Sequence, residues 1–268
     1  MGTFGGHALP GSFLICAGIW YTISTIHKYF DAKQRREKFK SSLYYPFFFL
    51  PHKLQKIPLE PMLRLIMITT GIVAIVLDSV IHSEPFRMNN RQHVTFFVFF
   101  GQSAVIDLLL FYGVSLPMNA EYISQIVNLG VNAFLFKHHV YGRNDLDVLL
   151  HTLLVYVILI TLVGVVLEMK YRDNILCAMT KCFGYLFQGT WFWQLGFILY
   201  PQFSFQALWE PSDHAGLMLV ALIFTWHIAA NCFLMAVIGF IMSGCYRQNH
   251  KTVQDDDTSS RARLILED

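Results

Sequence analysis

The chain has 268 residues, of which 54% are hydrophobic and 14% are charged, and its formal net charge is +2 at pH 7. A soluble domain carries about 25% charged residues, so this composition excludes a water-soluble globule. The small net charge gives no indication of a nucleic-acid partner.

The apolar residues are grouped into runs of roughly 20, the length needed to cross about 30 Å of hydrocarbon. These runs predict transmembrane helices at residues 9–27, 62–82, 93–114, 118–137, 146–169, 175–200 and 215–243. Asn174 can cap the helix that follows it. The aromatic segment 43–50 is too short to span and is broken by Pro46, so we expect it at the membrane interface.

We therefore predict an all-α fold, a polytopic bundle of seven transmembrane helices. The bundle occupies residues 1–246, and residues 247–268 form a polar tail that we expect to be disordered in the cytosol. The bilayer lipid is then the main partner of the chain.

Lysine and arginine residues predict the orientation of the bundle. None precedes the first run, whereas the loop after it carries Lys28, Lys33, Arg35, Arg36, Lys38, Lys40, Lys53 and Lys56. Positive loops stay in the cytosol, so the N-terminus is predicted to be lumenal or extracellular. An odd number of helices then places the C-terminus in the cytosol.

The histidines concentrate near the predicted outer ends of the helices. His227 lies deeper, at roughly 18 Å along the seventh run. We place Asp107 and Gln188 at a comparable depth, where ionisable groups normally face the bundle interior with a partner. Asp147 and His151 are four residues apart, so they share a helix face and the carboxylate can orient the imidazole. A polar core that opens outward is predicted.

This polar core has two interpretations. Imidazole is a common zinc ligand, and three or four such groups around one ion would offset the cost of burying them. The best ligands for such an ion are His139, His151, His214 and His227, and Asp107 is the alternative to His227 because His227 lies deeper than the others. The supporting polar groups are His7, His93, Asp107, Asp147, Gln188 and Asp213. Alternatively, the histidines are interfacial side chains and the buried polar groups only hydrogen-bond between helices. No compact metal motif such as HExxH is present, so a zinc cofactor is left open.

The run from Gln188 to Trp191 also has two interpretations. Its glycine and threonine allow close helix packing, and its aromatic side chain could line a pocket. We favour close packing.

Four motifs carry a family resemblance: GHALPG at residues 6–11, YGRNDLDVLLHTLL at 141–154, QGTWFWQLGFILYP at 188–201, and the pairs Asp213–His214 and Trp226–His227. They resemble the transmembrane protein 45 family. The resemblance implies a multi-pass protein of Golgi, endosomal and lysosomal membranes, or of the plasma membrane, with no settled biochemical activity. The family's recurrent histidines match His7, His93, His139, His151, His214 and His227. At two positions where relatives tend to have histidine, this chain has Gln92 and Tyr141.

Three function classes follow from these observations. The favoured one is a non-catalytic trafficking protein, or one that binds membrane-protein partners. The alternative is an intramembrane zinc-dependent hydrolase of lipid or acyl substrates, in which Asp107 or Asp213 would orient the attacking water. A transporter or proton pathway ranks last, because inverted repeats are not visible in the sequence.

Overall fold

The computed structural model describes residues 3–81, 86, 88–200 and 214–266, and the side chains of these residues except 89 and 249–266. The helices are α1 (Phe4–Gln34), α2 (His52–Gln55), α3 (Leu59–Ile81), α4 (Met88–Phe111), α5 (Ala120–His138), α6 (Asp145–Lys170), α7 (Ile175–Leu199) and α8 (His214–Leu266). Within these ranges the structure contains no β-strand. The predicted all-α class is confirmed.

Each predicted apolar run coincides with one long helix. In the described part of the chain, five helices are long and apolar enough to cross a membrane: α1, α3, α4 from Asn90, α6, and α8 as far as Gln248. Helices α5 and α7 are long enough but do not qualify as spans. Because α5 carries Gln125, Asn128 and Asn132, its apolar character is weak. The count of seven spans stays a prediction.

Helices α1 and α7 form the most extensive helix pair in the described residues. Glycines allow their backbones to approach closely. A Cβ atom added at Gly189 would lie 2.7 Å from the carbonyl oxygen of Gly11, and one added at Gly18 would lie 2.6 Å from the backbone nitrogen of Leu186. Real side chains do not tolerate such distances, so close packing is the role of Gly189, as the sequence favoured.

The apolar core lies between α6 and α7. Leu150 and Leu154 from α6 are fully buried against Phe187, Trp191 and Leu195 from α7. The indole nitrogen of Trp191 donates a hydrogen bond to the carbonyl oxygen of Leu150 at 3.1 Å. This bond satisfies the one polar atom of the largest buried side chain.

The aromatic segment 43–50 is not helical. Phe47, Phe48 and Phe49 surround the indole of Trp20, with ring centroids between 4.5 and 5.9 Å apart. Tyr45 is buried and contacts Thr25 at 3.0 Å. The segment therefore folds back onto α1 rather than spanning the bundle.

The last helix is longer than its apolar part. Its backbone continues to Leu266, well beyond the predicted apolar run, which ends at residue 243. The division of the chain at residue 247, with a disordered tail after it, stays a prediction.

Candidate functional site

Four histidines meet at the end of the bundle where α1 begins. The ring centroids of His93 and His139 are 5.5 Å apart, those of His139 and His151 are 5.7 Å apart, and those of His151 and His7 are 6.1 Å apart. These residues come from α4, from the turn after α5, from α6 and from α1. We call them the histidine cluster.

A chain of hydrogen bonds fixes the centre of this cluster. Nδ1 of His139 lies 2.7 Å from Oε1 of Gln92, and Arg143 approaches Nε2 of His139 at 3.0 Å. Because a guanidinium group can only donate, Nε2 must accept and Nδ1 must carry the proton that it donates to Gln92. Arg143 also donates to Oδ2 of Asp147 at 2.8 Å. His139 is therefore held as a neutral imidazole with both ring nitrogens engaged.

Asp147 links this chain to His151. Nδ1 of His151 lies 2.7 Å from Oδ1 and 3.0 Å from the carbonyl oxygen of Asp147. Asn144 caps α6 by accepting a hydrogen bond from the backbone nitrogen of Asp147 at 2.9 Å, which fixes the position of that first turn. The contact agrees with the four-residue spacing seen in the sequence. His151 itself is only 1% exposed, so its orientation is set inside the protein.

The position of His139 has an electrostatic consequence. Burial, reinforced by the charge of Arg143 and by the neighbouring histidines, lowers the pKa of His139 to about 3. Burial disfavours the charged imidazolium, and a cation at hydrogen-bond distance disfavours it further. The neutral form is therefore the native one over the whole physiological range.

The structure brings together only two of the four predicted metal ligands, His139 and His151. His227 lies elsewhere, with its ring centroid 5.5 Å from that of Trp191 and its Nε2 atom 3.4 Å from Oε1 of Gln194. His214 is exposed at the start of α8. The depth of His227 already sets it apart from the other candidate ligands in the sequence, and its neighbours in the structure are side chains of α7.

These donors do not fit a metal ion as they are arranged. Among the described residues, no group of three or more His, Cys, Asp or Glu side chains is placed to hold one. In addition, both ring nitrogens of His139 are occupied. Asp213, a predicted supporting group, lies outside the described residues.

Two other predicted members of the polar core lie away from the histidines. Gln188 is buried in α7 and donates from Nε2 to the hydroxyl of Thr161 at 2.6 Å. Asp107 is at the opposite end of the bundle, four residues before α4 ends at Phe111, where it pairs with Arg64 of α3. Asp107 therefore lies apart from the histidine cluster.

Asp107 belongs to a second polar group that the sequence analysis missed, which we call the ionic cluster. Its first part is Glu60, Arg64 and Asp107. Oε1 of Glu60 accepts a hydrogen bond from the hydroxyl of Tyr21 at 3.0 Å, and Oε2 accepts one from the backbone nitrogen of Tyr45 at 3.0 Å. Burial raises the pKa of Tyr45 to about 12, so its phenol keeps its proton.

The second part of the ionic cluster is the pair of Lys181 and Glu168. Both side chains are almost completely buried, and Nζ lies 2.8 Å from Oε2. Nζ also donates to the carbonyl oxygen of Ser42 at 3.2 Å. A small cavity separates this pair from Arg64 and Asp107. The sequence signal for the Lys181–Glu168 pair is the presence of a lysine and a glutamate inside otherwise apolar runs.

Comparisons with known proteins agree with a membrane protein. A family model described as "Family of unknown function (DUF716)" matches residues 120–240, the part that holds His139, Asp147, His151 and the Lys181–Glu168 pair. Transmembrane epididymal protein 1 of Rattus norvegicus is 24% identical over 271 residues, covering 92% of this chain and 84% of its own length. Transmembrane epididymal protein 1A of Mus musculus is 25% identical, with 92% and 83% covered.

Transmembrane epididymal protein 1 of Homo sapiens is 28% identical over 120 residues, which is 44% of each chain. These likenesses extend over nearly the whole chain in the rodent relatives. The chain is an all-helical, multi-pass membrane protein that resembles the transmembrane epididymal proteins and, over residues 120–240, a family of unknown function.

Proposed function

We propose that this chain is a non-catalytic trafficking or partner-binding protein of Golgi, endosomal and lysosomal membranes, within the family of unknown function and akin to the transmembrane protein 45 family. The observation that carries the proposal is a hydrogen-bond chain from Gln92 through His139 and Arg143 to Asp147, whose backbone carbonyl bonds to His151 and whose carboxylate lies against the same ring. An enzyme directs such groups at a substrate, whereas here they engage one another. The cluster then serves to hold four helices together.

The proposal includes seven spans, with the N-terminus in the lumen and the C-terminus in the cytosol. Helix α7 packs against α1, α6 and α8, and the polar side chains of α5 are buried. Helices shielded from lipid by their neighbours can cross a membrane with a more polar composition than lipid-facing ones. The cationic loop after α1 supplies the orientation.

Protease protection of terminal tags in sealed vesicles tests this topology. The amino-terminal tag should survive and the carboxy-terminal tag should be digested. Loss of the amino-terminal tag without detergent contradicts the orientation, and loss or survival of both tags contradicts an odd number of spans.

The apolar outer faces of α3 and α8 are the surfaces proposed for lipid and partner contacts. Helix α3 packs mainly against α4, and Ile66, Val73 and Val80 on its other face are exposed. On α8, Trp226 and Phe240 are likewise exposed. The exposed side chains form an apolar face on α3 and another on α8, and a further transmembrane helix can pack against either face.

Photocrosslinking in cells tests the partner-binding function. A photoreactive amino acid at Ile66 should yield a discrete protein adduct in Golgi or endosomal fractions. The same amino acid at Val157, which is fully buried in α6, is the matched control and should yield none. Adducts to lipid alone at Ile66 and at Phe240 contradict partner binding through these faces.

The zinc-hydrolase alternative rests on the ring-to-ring contacts of the histidine cluster. Metal binding would require Arg143 to release Nε2 of His139. Elemental analysis of protein purified without chelators decides the question. About one zinc per chain, lost in His151→Ala, would support a metal site, since one missing ligand opens a closed coordination shell. Metal-free protein contradicts it.

A further inference from the structure

One face of α5 is polar along its length. Glu121, Gln125, Asn128 and Asn132 follow one another at spacings of three or four residues, so they share one side of the helix. Gln125, Asn128 and Asn132 are each at most 6% exposed, so this side faces the bundle interior. We call these four residues the polar file. A buried polar face on a membrane helix is costly and normally marks a pathway for ions or protons.

The polar file connects the two clusters. Near the Glu121 end of the polar file, Gln125 hydrogen-bonds to the hydroxyl of Tyr185. Both residues line the small cavity together with Asp107 and Lys181. Glu121 also lines this cavity, is partly exposed, and lies 3.9 Å from Arg172. Beyond Asn132, at the other end of the polar file, the same helix face continues through Phe136 to His139 of the histidine cluster.

The two asparagines leave polar atoms without a protein partner. Nδ2 of Asn132 donates to Oδ1 of Asn128 at 2.6 Å and to the carbonyl oxygen of Asn128 at 2.8 Å. Nδ2 of Asn128 and Oδ1 of Asn132 are buried and have no hydrogen-bond partner among the described residues. Burying an amide group without a hydrogen-bond partner is energetically costly, and internal water is the usual partner of such groups. A buried donor and a buried acceptor one helical turn apart on the same helix face are the two contacts that begin a chain of waters.

An aromatic constriction separates the asparagines from the histidine cluster. Phe136 stacks on Phe96 with ring centroids 4.3 Å apart and meets Phe192 edge-on at 5.7 Å. The three rings come from α5, α4 and α7 and occupy the continuation of the polar file. Apolar constrictions close aqueous pathways by excluding water.

We propose that the polar file is a proton pathway, with waters held by Asn128 and Asn132, which Phe136 closes in the structure described here. When the constriction opens, a hydronium ion from the solvent at the histidine end gives a proton to the first water, and each water then accepts one proton and passes another to the next. The carboxylate of Glu121 accepts the last proton and gives it to a solvent water. No bond other than O–H forms or breaks, and the transferred charge requires a compensating counter-ion flow.

Proteoliposomes containing the full chain test the proposal. A pH-sensitive dye inside the vesicles reports proton entry, driven by a potassium gradient with valinomycin as the counter-ion path. Phe136→Ala removes the central ring and should raise the proton flux by about tenfold, because water can then fill the constriction. Phe134→Ala is the matched control: Phe134 lies on the same helix but is 64% exposed on the outer face, so the flux should not change.

A second substitution separates the pathway from a general leak. In the Phe136→Ala background, Asn132→Leu removes the water-binding amide and should return the flux to that of Phe134→Ala. Equal flux in Phe136→Ala and Phe134→Ala overturns the proposal. Persistence of the raised flux after Asn132→Leu overturns it as well, because the leak would then bypass the polar file.

Radiolytic labelling of the wild-type protein tests whether the internal waters are present, without the Phe136→Ala substitution. Hydroxyl radicals formed from bound water oxidise the side chains beside it. Tyr185 is buried and hydrogen-bonds to Gln125 of the polar file, so its oxidation in the folded wild-type protein reports internal water there. Labelling of Tyr185 that falls in Asn132→Leu supports the pathway. A wild-type protein in which Tyr185 is not labelled contradicts it, whatever flux Phe136→Ala shows.

Discussion

Arg143 donates a hydrogen bond to Nε2 of His139 across 3.0 Å, which places a permanent cation against an imidazole ring. Arginine does not lose its proton in proteins, so protonation of His139 would bring two positive charges into contact and break this bond. The same arginine is held by Asp147 on its other side. The surroundings of His139 therefore favour the neutral imidazole.

Acid should destabilise the protein through His139. Its native pKa of about 3 lies below the ordinary value of 6.5, so the folded chain binds fewer protons than the unfolded chain between these two values. The free energy of unfolding then falls as the pH falls through this window. We expect the melting temperature in detergent to drop between pH 7.5 and pH 5, and to drop less in His139→Gln.

Two further variants check that His139 is responsible. Gln92→Glu places a carboxylate at the position of the Gln92 amide, 2.7 Å from Nδ1, and so favours the charged ring. It should flatten the pH dependence as His139→Gln does. His138→Gln, whose parent side chain contacts Tyr141 instead, should keep the wild-type slope. If all of these proteins lose stability equally in acid, another group controls the pH dependence.

Breaking the buried ion pair of Lys181 and Glu168 should be costly. Lys181→Met leaves the carboxylate of Glu168 without its cation inside the bundle, and such a loss typically costs about 3–5 kcal/mol. The double variant Lys181→Met with Glu168→Leu should recover much of the stability, because no unpaired charge is left. Thermal unfolding measures both. Arg35→Gln is the control, since the Arg35–Asp31 pair is exposed and contributes about 1 kcal/mol or less.

Gly189→Ala should weaken the contact between α1 and α7. The added methyl group would lie 2.7 Å from the carbonyl oxygen of Gly11, and overpacking of this kind costs about 1–3 kcal/mol. Gly244→Ala in α8 has open space around its Cβ position, so its melting temperature should not fall. Equal melting temperatures for the two variants would mean that the helix pair adjusts without strain.

Features set by local sequence were predictable. Runs of apolar residues predicted the position of each described long helix, because the membrane requires a minimum length, although α8 continues beyond its run. Asn174 caps α7 by accepting from the backbone nitrogen of Leu176, as its position suggested. The contact of Asp147 with His151 also followed from helical spacing alone.

Features set by pairing between distant helices were not predictable from one sequence. Asp107 lies inside an apolar run, but the sequence does not show that its partner is Arg64 of α3. His227 is a candidate ligand because it comes from the helix after those of His139 and His151, whereas the rotation of α8 directs it towards Trp191. Spacing along one helix cannot report which neighbouring helix a side chain meets.

The pairing of α1 with α7 has a consequence for biosynthesis. Helix α1 leaves the ribosome well before α7, yet α7 is the helix that packs against Gly11 and Gly18, and it is completed only at residue 199. During that interval the glycine face of α1 has no permanent neighbour in the lipid. Nascent chains that stop before α7 should therefore be retained by chaperones of the endoplasmic reticulum, and chains that include α7 should be released.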